Sequence, residues 1–96
     1  MSATNTCLHA FVEGYVQGVG FRFYVLHHAR PLGITGWVRN THRDEVEVLA
    51  EGNPSALEIL LEYMASGPED AEVTNIRKEW LEASGKYSGF DVFPSV

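Results

Sequence analysis

Two short stretches carry residue types suited to handling a phosphoryl group. The first is Gly14-Tyr15-Val16-Gln17-Gly18-Val19-Gly20-Phe21-Arg22, in which three glycines precede an arginine. Glycine adopts left-handed backbone angles without penalty, so successive N–H groups can turn toward one anion. A helix beginning at Phe21 adds its unpaired N–H groups and the positive end of its dipole to that cradle. The amides of Val16, Gln17, Gly18, Val19, Gly20 and Phe21 are therefore candidate phosphate donors. Arg22 falls in the first helical turn, and helical side chains lean back toward the N-terminus, which lets its guanidinium reach the same loop. A planar fork matches phosphoryl oxygens better than a lysine point charge, and hydrogen bonds to charged groups contribute about 1.5–3 kcal/mol each.

The second stretch is Gly36-Trp37-Val38-Arg39-Asn40. Asn40 carries a neutral amide that can accept a hydrogen from water through its carbonyl and donate to an oxyanion through its NH2 group. Such a group orients an attacking water without acting as a strong base. For an already activated phosphoryl group, positioning and charge stabilisation suffice. Arg22 and Asn40 are the candidate catalytic pair, provided the fold brings them to one place.

The elements that must do so can be read from periodicity. Cys7 to Glu13 is almost continuously apolar and ends in the glycine loop, as a central strand does. Phe21, Tyr24, Val25, His28, Ala29 and Leu32 recur at helical spacing, with Pro31 and Gly33 as the stop. Ile34 to Asn40 and Glu45 to Glu51 alternate as two strands around the polar turn Thr41-His42-Arg43-Asp44. Asn53 and Pro54 start a second helix with the stripe Leu57, Leu60, Leu61 and Met64, which Gly67-Pro68 ends. Residues 73–83 and 89–93 supply a long strand and a short tail strand. The order predicts an α+β fold, a ferredoxin-like (split β-α-β) sandwich with two helices on one face of an antiparallel sheet. Residues 7–96 form a single domain behind an N-terminal tail, 1–6. A crossover through the first helix makes the strands on either side of it parallel, so Asn40 arrives at the edge of the sheet where the cradle begins. In the third strand Val46, Val48 and Ala50 face the core, whereas Glu45, Glu47 and Glu51 are expected on a solvated or edge-protecting surface.

Composition narrows the functions. Thirteen acidic against seven basic residues give a formal charge of −6 in 96 residues, which repels phosphate polymers and anionic membranes. A nucleic-acid partner is not expected: RNA-binding domains of the same element order place aromatic residues where this chain has glutamates. No apolar run approaches the ~20 residues needed to cross a bilayer, and residues 1–6 lack the basic and apolar regions of a leader, so no membrane partner is expected. Cys7 is the sole cysteine, which excludes an internal disulfide and fits a cytoplasmic location. His27 and His28 point about 100° apart on a helix, and Cys7 with His9 lacks further ligands at suitable spacing, so neither metal nor cofactor is expected.

Taken in order and at their spacing, Val16-Gln17-Gly18-Val19-Gly20-Phe21-Arg22 and Gly36-Trp37-Val38-Arg39-Asn40 resemble the two signature motifs of the acylphosphatase family. The resemblance runs through the acidic third strand to Tyr87-Ser88-Gly89-Phe90. It implies a metal-independent, cofactor-free hydrolase of small acyl phosphates such as acetyl phosphate, 1,3-bisphosphoglycerate and carbamoyl phosphate, and a monomer is expected. It also implies that Arg22 binds the phosphate, that Asn40 positions the nucleophilic water, and that the amides of Val16 to Phe21 form the cradle. One departure stands out: the family's turn after the second motif usually carries glycine where this chain has Asp44. Aspartate tolerates left-handed angles better than most residues, so the turn is expected to persist.

Overall fold

The computed structural model describes residues 4–96. Its elements are β1 (Thr6–Tyr15), α1 (Phe21–Ala29), β2 (Thr35–Asn40), β3 (Val46–Gly52), α2 (Pro54–Ser66), β4 (Glu72–Glu82) and β5 (Phe90–Val92), with one 3-10 turn at Arg30–Leu32. The expected tail, 1–6, lies partly outside the described residues, and Thr6 already pairs with Gly52 and Glu82. The helix boundaries follow local chemistry. The Asn53 side chain accepts a hydrogen bond from Ser55 N at 2.8 Å, satisfying one of the unpaired amides at the start of α2. α1 tightens through Arg30 and Pro31 and ends at Gly33, whose φ of 71° a side chain would resist.

The strand order is β4-β1-β3-β2-β5. Every neighbouring pair among the first four strands is antiparallel, as the sequence pattern requires, and β5 joins β2 in parallel, so the complete sheet is mixed. Leu8, Ala10 and Val12 of β1 stand opposite Ala50, Val48 and Val46 of β3, with Val38 beside them in β2. All seven are fully buried against Phe21, Val25 and Ala29 of α1 and Leu57, Leu60 and Met64 of α2. Full burial of a large apolar side chain contributes about 1.5–3 kcal/mol, and a one-residue slip would turn this layer to the other face, so its burial holds the register. β2 and β3 approach closely at Gly36: at its φ of 133° a side chain would overlap the carbonyl oxygen of Leu49.

The opposite face of the sheet departs from expectation. Glu45, Glu47 and Glu51 are buried, at 9%, 7% and 4% exposure, rather than solvated. The reason is topological: β3 lies in the middle of the sheet, and long side chains from β1, β2 and β4 fold over it. Arg77 of β4 donates to Glu45 at 2.6 Å and to Glu13 at 2.7 Å. Arg39 of β2 donates to Glu47 at 2.8 Å, and the His9 ring bonds the same carboxylate at 2.7 Å. Burial pushes the Glu47 carboxyl upward, but these hydrogen bonds and charges outweigh it and hold the group below its ordinary value.

Glu51 has a different partner. Since β4 and β5 are opposite edges of the sheet, residues 83–89 must cross this whole face to connect them. The Glu51 carboxylate anchors that crossing, accepting from Ser84 N at 2.9 Å, Ser84 Oγ at 2.8 Å and Gly85 N at 3.0 Å. Farther along, the Tyr87 hydroxyl accepts from the Trp37 indole at 3.4 Å, and Phe93 stacks on Trp37.

Candidate active site

The glycine loop leaves β1 between two buried anchors, Val16 and Phe21. Between them Gly18 and Gly20 hold φ of 74° and 79°, and a methyl group placed on either would meet no heavy atom within 4 Å. These glycines thus serve backbone angle rather than tight packing, and the space beside them is open. Gly20 is the N-cap of α1, with no side chain to satisfy the first amides, while its carbonyl accepts from Tyr24 N at 3.0 Å. Amide donors of the first helical turn remain available to an anion.

Arg22 follows at the second position of α1, half-buried. Arg30, Arg39 and Arg77 each pair with a carboxylate, but among the described residues Arg22 makes neither an ion pair nor a side-chain hydrogen bond. Its charge is uncompensated within a chain of net charge −6. Asn40 is the last residue of β2 and pairs with Val46. Its backbone carbonyl accepts from Val96 N at 3.1 Å. The Asn40 carboxamide makes no hydrogen bond among the described residues, and since no buried side-chain oxygen or nitrogen there lacks a partner, it must reach solvent.

What joins the two motifs is a contact that residue-by-residue reading missed. Gln17 Nε2 donates to the carbonyls of Thr41 at 2.9 Å and Glu45 at 2.8 Å. Thr41 directly follows Asn40, and its own N–H donates to the Glu45 carbonyl at 3.0 Å. Thr41 Oγ1 accepts from Arg43 N at 3.2 Å and Glu45 N at 3.4 Å, so the turn is well tied. Asp44 sits in that turn at φ 61°, the left-handed angle that glycine would favour. The cradle loop, the start of α1 and the Asn40 end of β2 therefore share one edge of the sheet. The exact gap between the Arg22 guanidinium and the Asn40 carboxamide is bridged by no direct hydrogen bond.

Other candidates fall away from this edge. His28 stacks on Tyr63 with ring centroids 3.8 Å apart, and His27 is exposed. His42 and Arg43, by contrast, lie in the turn at this edge, where both are exposed. A cleft of about 490 Å³ between α2 and β4 is lined by Leu61, Val73 and Ile76 together with Glu58, Glu62 and Lys78, an acidic balance unsuited to a phosphate. Among the described residues no helix is long and apolar enough to cross a membrane.

The sequence matches the family model described as Acylphosphatase over residues 8–92. The chain belongs to the acylphosphatase family. An acylphosphatase from Caldanaerobacter subterraneus is 38% identical over 86 residues, which cover 90% of this chain and 96% of that one. A Vibrio cholerae acylphosphatase is 40% identical over 86 residues, covering 90% and 94%. Among solved structures, an acylphosphatase from Coxiella burnetii superposes with a TM-score of 0.87 at 40% identity and covers 94% of each chain. Membership of the acylphosphatases makes this chain a hydrolase, with the ferredoxin-like fold that its element order indicated.

Proposed function

We propose that the chain hydrolyses the carboxyl–phosphate anhydride of small acyl phosphates, releasing a carboxylate and inorganic phosphate. In this reading the amides of Val16 to Phe21 and the Arg22 guanidinium hold the phosphoryl oxygens, and Asn40 orients a water in line with the bond to the acyl oxygen. A P–O bond forms to that water as the P–O bond to the acyl oxygen breaks; the water's proton leaves to solvent and the electron pair goes with the carboxylate. A carboxylate is a good leaving group, so no general acid is required. The electrostatic demand lies on the phosphoryl oxygens, where preorganised donors stabilise charge without reorganising. The observation that carries the reading is the bond pair from Gln17 to the turn beside Asn40, which docks the open loop next to the unpaired carboxamide. We further propose that the enzyme needs no metal and acts in the cytoplasm as a monomer, on free small molecules rather than on nucleic acid or membrane.

The test is turnover of acetyl phosphate against an ordinary phosphate monoester, in excess EDTA. The anhydride should be cleaved at the full rate and the ester far more slowly. Asn40→Ala should lower kcat on the order of 10²-fold while inhibition by phosphate is retained. Arg22→Ala should weaken phosphate inhibition as well as turnover. Dependence on an added metal, or wild-type turnover in Asn40→Ala, would overturn the mechanism.

A further inference from the structure

We infer that the Gln17 carboxamide is a positioning residue, setting the distance between the phosphate loop and Asn40. The inference rests on the roles proposed above for that loop and for Asn40. Between the buried anchors Val16 and Phe21 the loop contains two left-handed glycines with no heavy atom within 4 Å of where a side chain would begin. Among the described residues, Gln17 is the one in this segment whose side chain hydrogen-bonds to another element. Its NH2 group has two hydrogens and makes two bonds, to Thr41 O at 2.9 Å and Glu45 O at 2.8 Å. None is left for a phosphoryl oxygen, so this side chain works on the protein rather than on the substrate. Both acceptors lie in the turn that continues from Asn40, closed by Thr41 N to Glu45 O at 3.0 Å. The loop is thereby referenced to Asn40 across one residue of backbone. In-line displacement is sensitive to that spacing: a misplacement of about 1 Å can lower a rate about 10²-fold.

Two substitutions test this in the full chain. Gln17→Leu keeps the bulk and removes both donors. It should lower acetyl phosphate kcat by about tenfold or more, while inhibition by inorganic phosphate stays within about threefold of wild type. Gln17→Glu keeps the shape but turns an acceptor toward two carbonyls. Its kcat relative to wild type should rise as pH falls from about 8 to about 5, because protonating the introduced carboxyl restores one donor. In an Asn40→Ala background, Gln17→Leu should change kcat less than about twofold, since the loop then has nothing to be aligned with.

A Gln17→Leu protein that melts earlier but keeps kcat below its melting point would overturn the inference in favour of a folding staple. Weakened phosphate inhibition at unchanged kcat would overturn it in favour of direct substrate contact. If Gln17→Leu fails to fold, the Gln17→Glu ratio decides, and a ratio flat with pH sinks the idea. Wild-type turnover in Asn40→Ala alone defeats the functional reading itself; a large Asn40→Ala defect beside an unaffected Gln17→Leu defeats only the positioning role.

Discussion

Replacing Glu51 with glutamine tests whether one carboxylate fastens the crossing segment to the sheet. The group is 4% exposed and accepts three hydrogen bonds, two through Oε2 from Ser84 and one through Oε1 from Gly85. An amide leaves a single acceptor oxygen, so at least one backbone N–H loses its partner and the bonds that remain lose their charge assistance. A bond to a charged group contributes about 1.5–3 kcal/mol and a neutral one about 1 kcal/mol. The neutral amide is easier to bury than the carboxylate, which offsets part of the loss. We expect Glu51→Gln to cost about 2 kcal/mol, a large share of the 5–15 kcal/mol typical of a domain. The loss should also depend on pH. Burial pushes the Glu51 carboxyl upward, but the bonds from Ser84 and Gly85 outweigh it and hold the group below 4.5. A depressed folded value means that the stabilisation is fully present above the unfolded value of 4.5 and disappears as pH falls through the folded one. Glu47 titrates in both proteins and cancels from the difference. Urea unfolding followed by Trp37 and Trp80 fluorescence, at neutral pH and stepwise into acid, measures the gap. A gap below about 0.5 kcal/mol at neutral pH, or one that does not narrow in acid, would refute the reasoning.

Asp44 and Cys7 give two further expectations. Asp44 holds φ 61°, so Asp44→Gly should be neutral or stabilising by less than about 1 kcal/mol, whereas Asp44→Ala should cost about 1 kcal/mol. Urea midpoints would show the order, and an Asp44→Ala protein more stable than wild type would contradict it. Burial, with Glu51 beside it, pushes the Cys7 thiol up to about 11, leaving about one part in ten thousand as thiolate at neutral pH. A thiol reagent should label native Cys7 orders of magnitude more slowly than the urea-unfolded chain, and comparable rates would show that the site is open.

Local chemistry was legible in the sequence wherever cause and effect lie within a few residues. Asn53 caps α2 as its side chain suggests, and Leu57, Leu60 and Met64 bury as their spacing requires. The parallel course of β1 and β2 followed from the crossover rule and put Asn40 at the loop's edge of the sheet. What stayed hidden depends on partners far along the chain. Alternation placed Glu45, Glu47 and Glu51 on one face but could not say what covers it, because Arg77 reaches Glu45 across 32 positions and Ser84 reaches Glu51 across 33. The same limit applied at the site. Gln17 was read as a backbone amide donor, yet its side chain spans 24 and 28 positions to the turn carbonyls. No periodicity encodes a long polar side chain choosing two distant carbonyls. An exposed-looking glutamine inside an otherwise glycine-rich loop was the only signal available.

The strand order has a consequence for biosynthesis. β1 is synthesised before both of the strands that flank it, β3 on one side and β4 on the other. Once β3 has docked, the second edge of β1 is not fully paired until Glu82 has been translated opposite Thr6. At about 5–20 residues per second that interval lasts roughly 2–6 seconds. Throughout it, the nascent chain displays an open, strongly apolar edge to its neighbours on the polysome, and its solubility there depends on how quickly the last third of the polypeptide arrives.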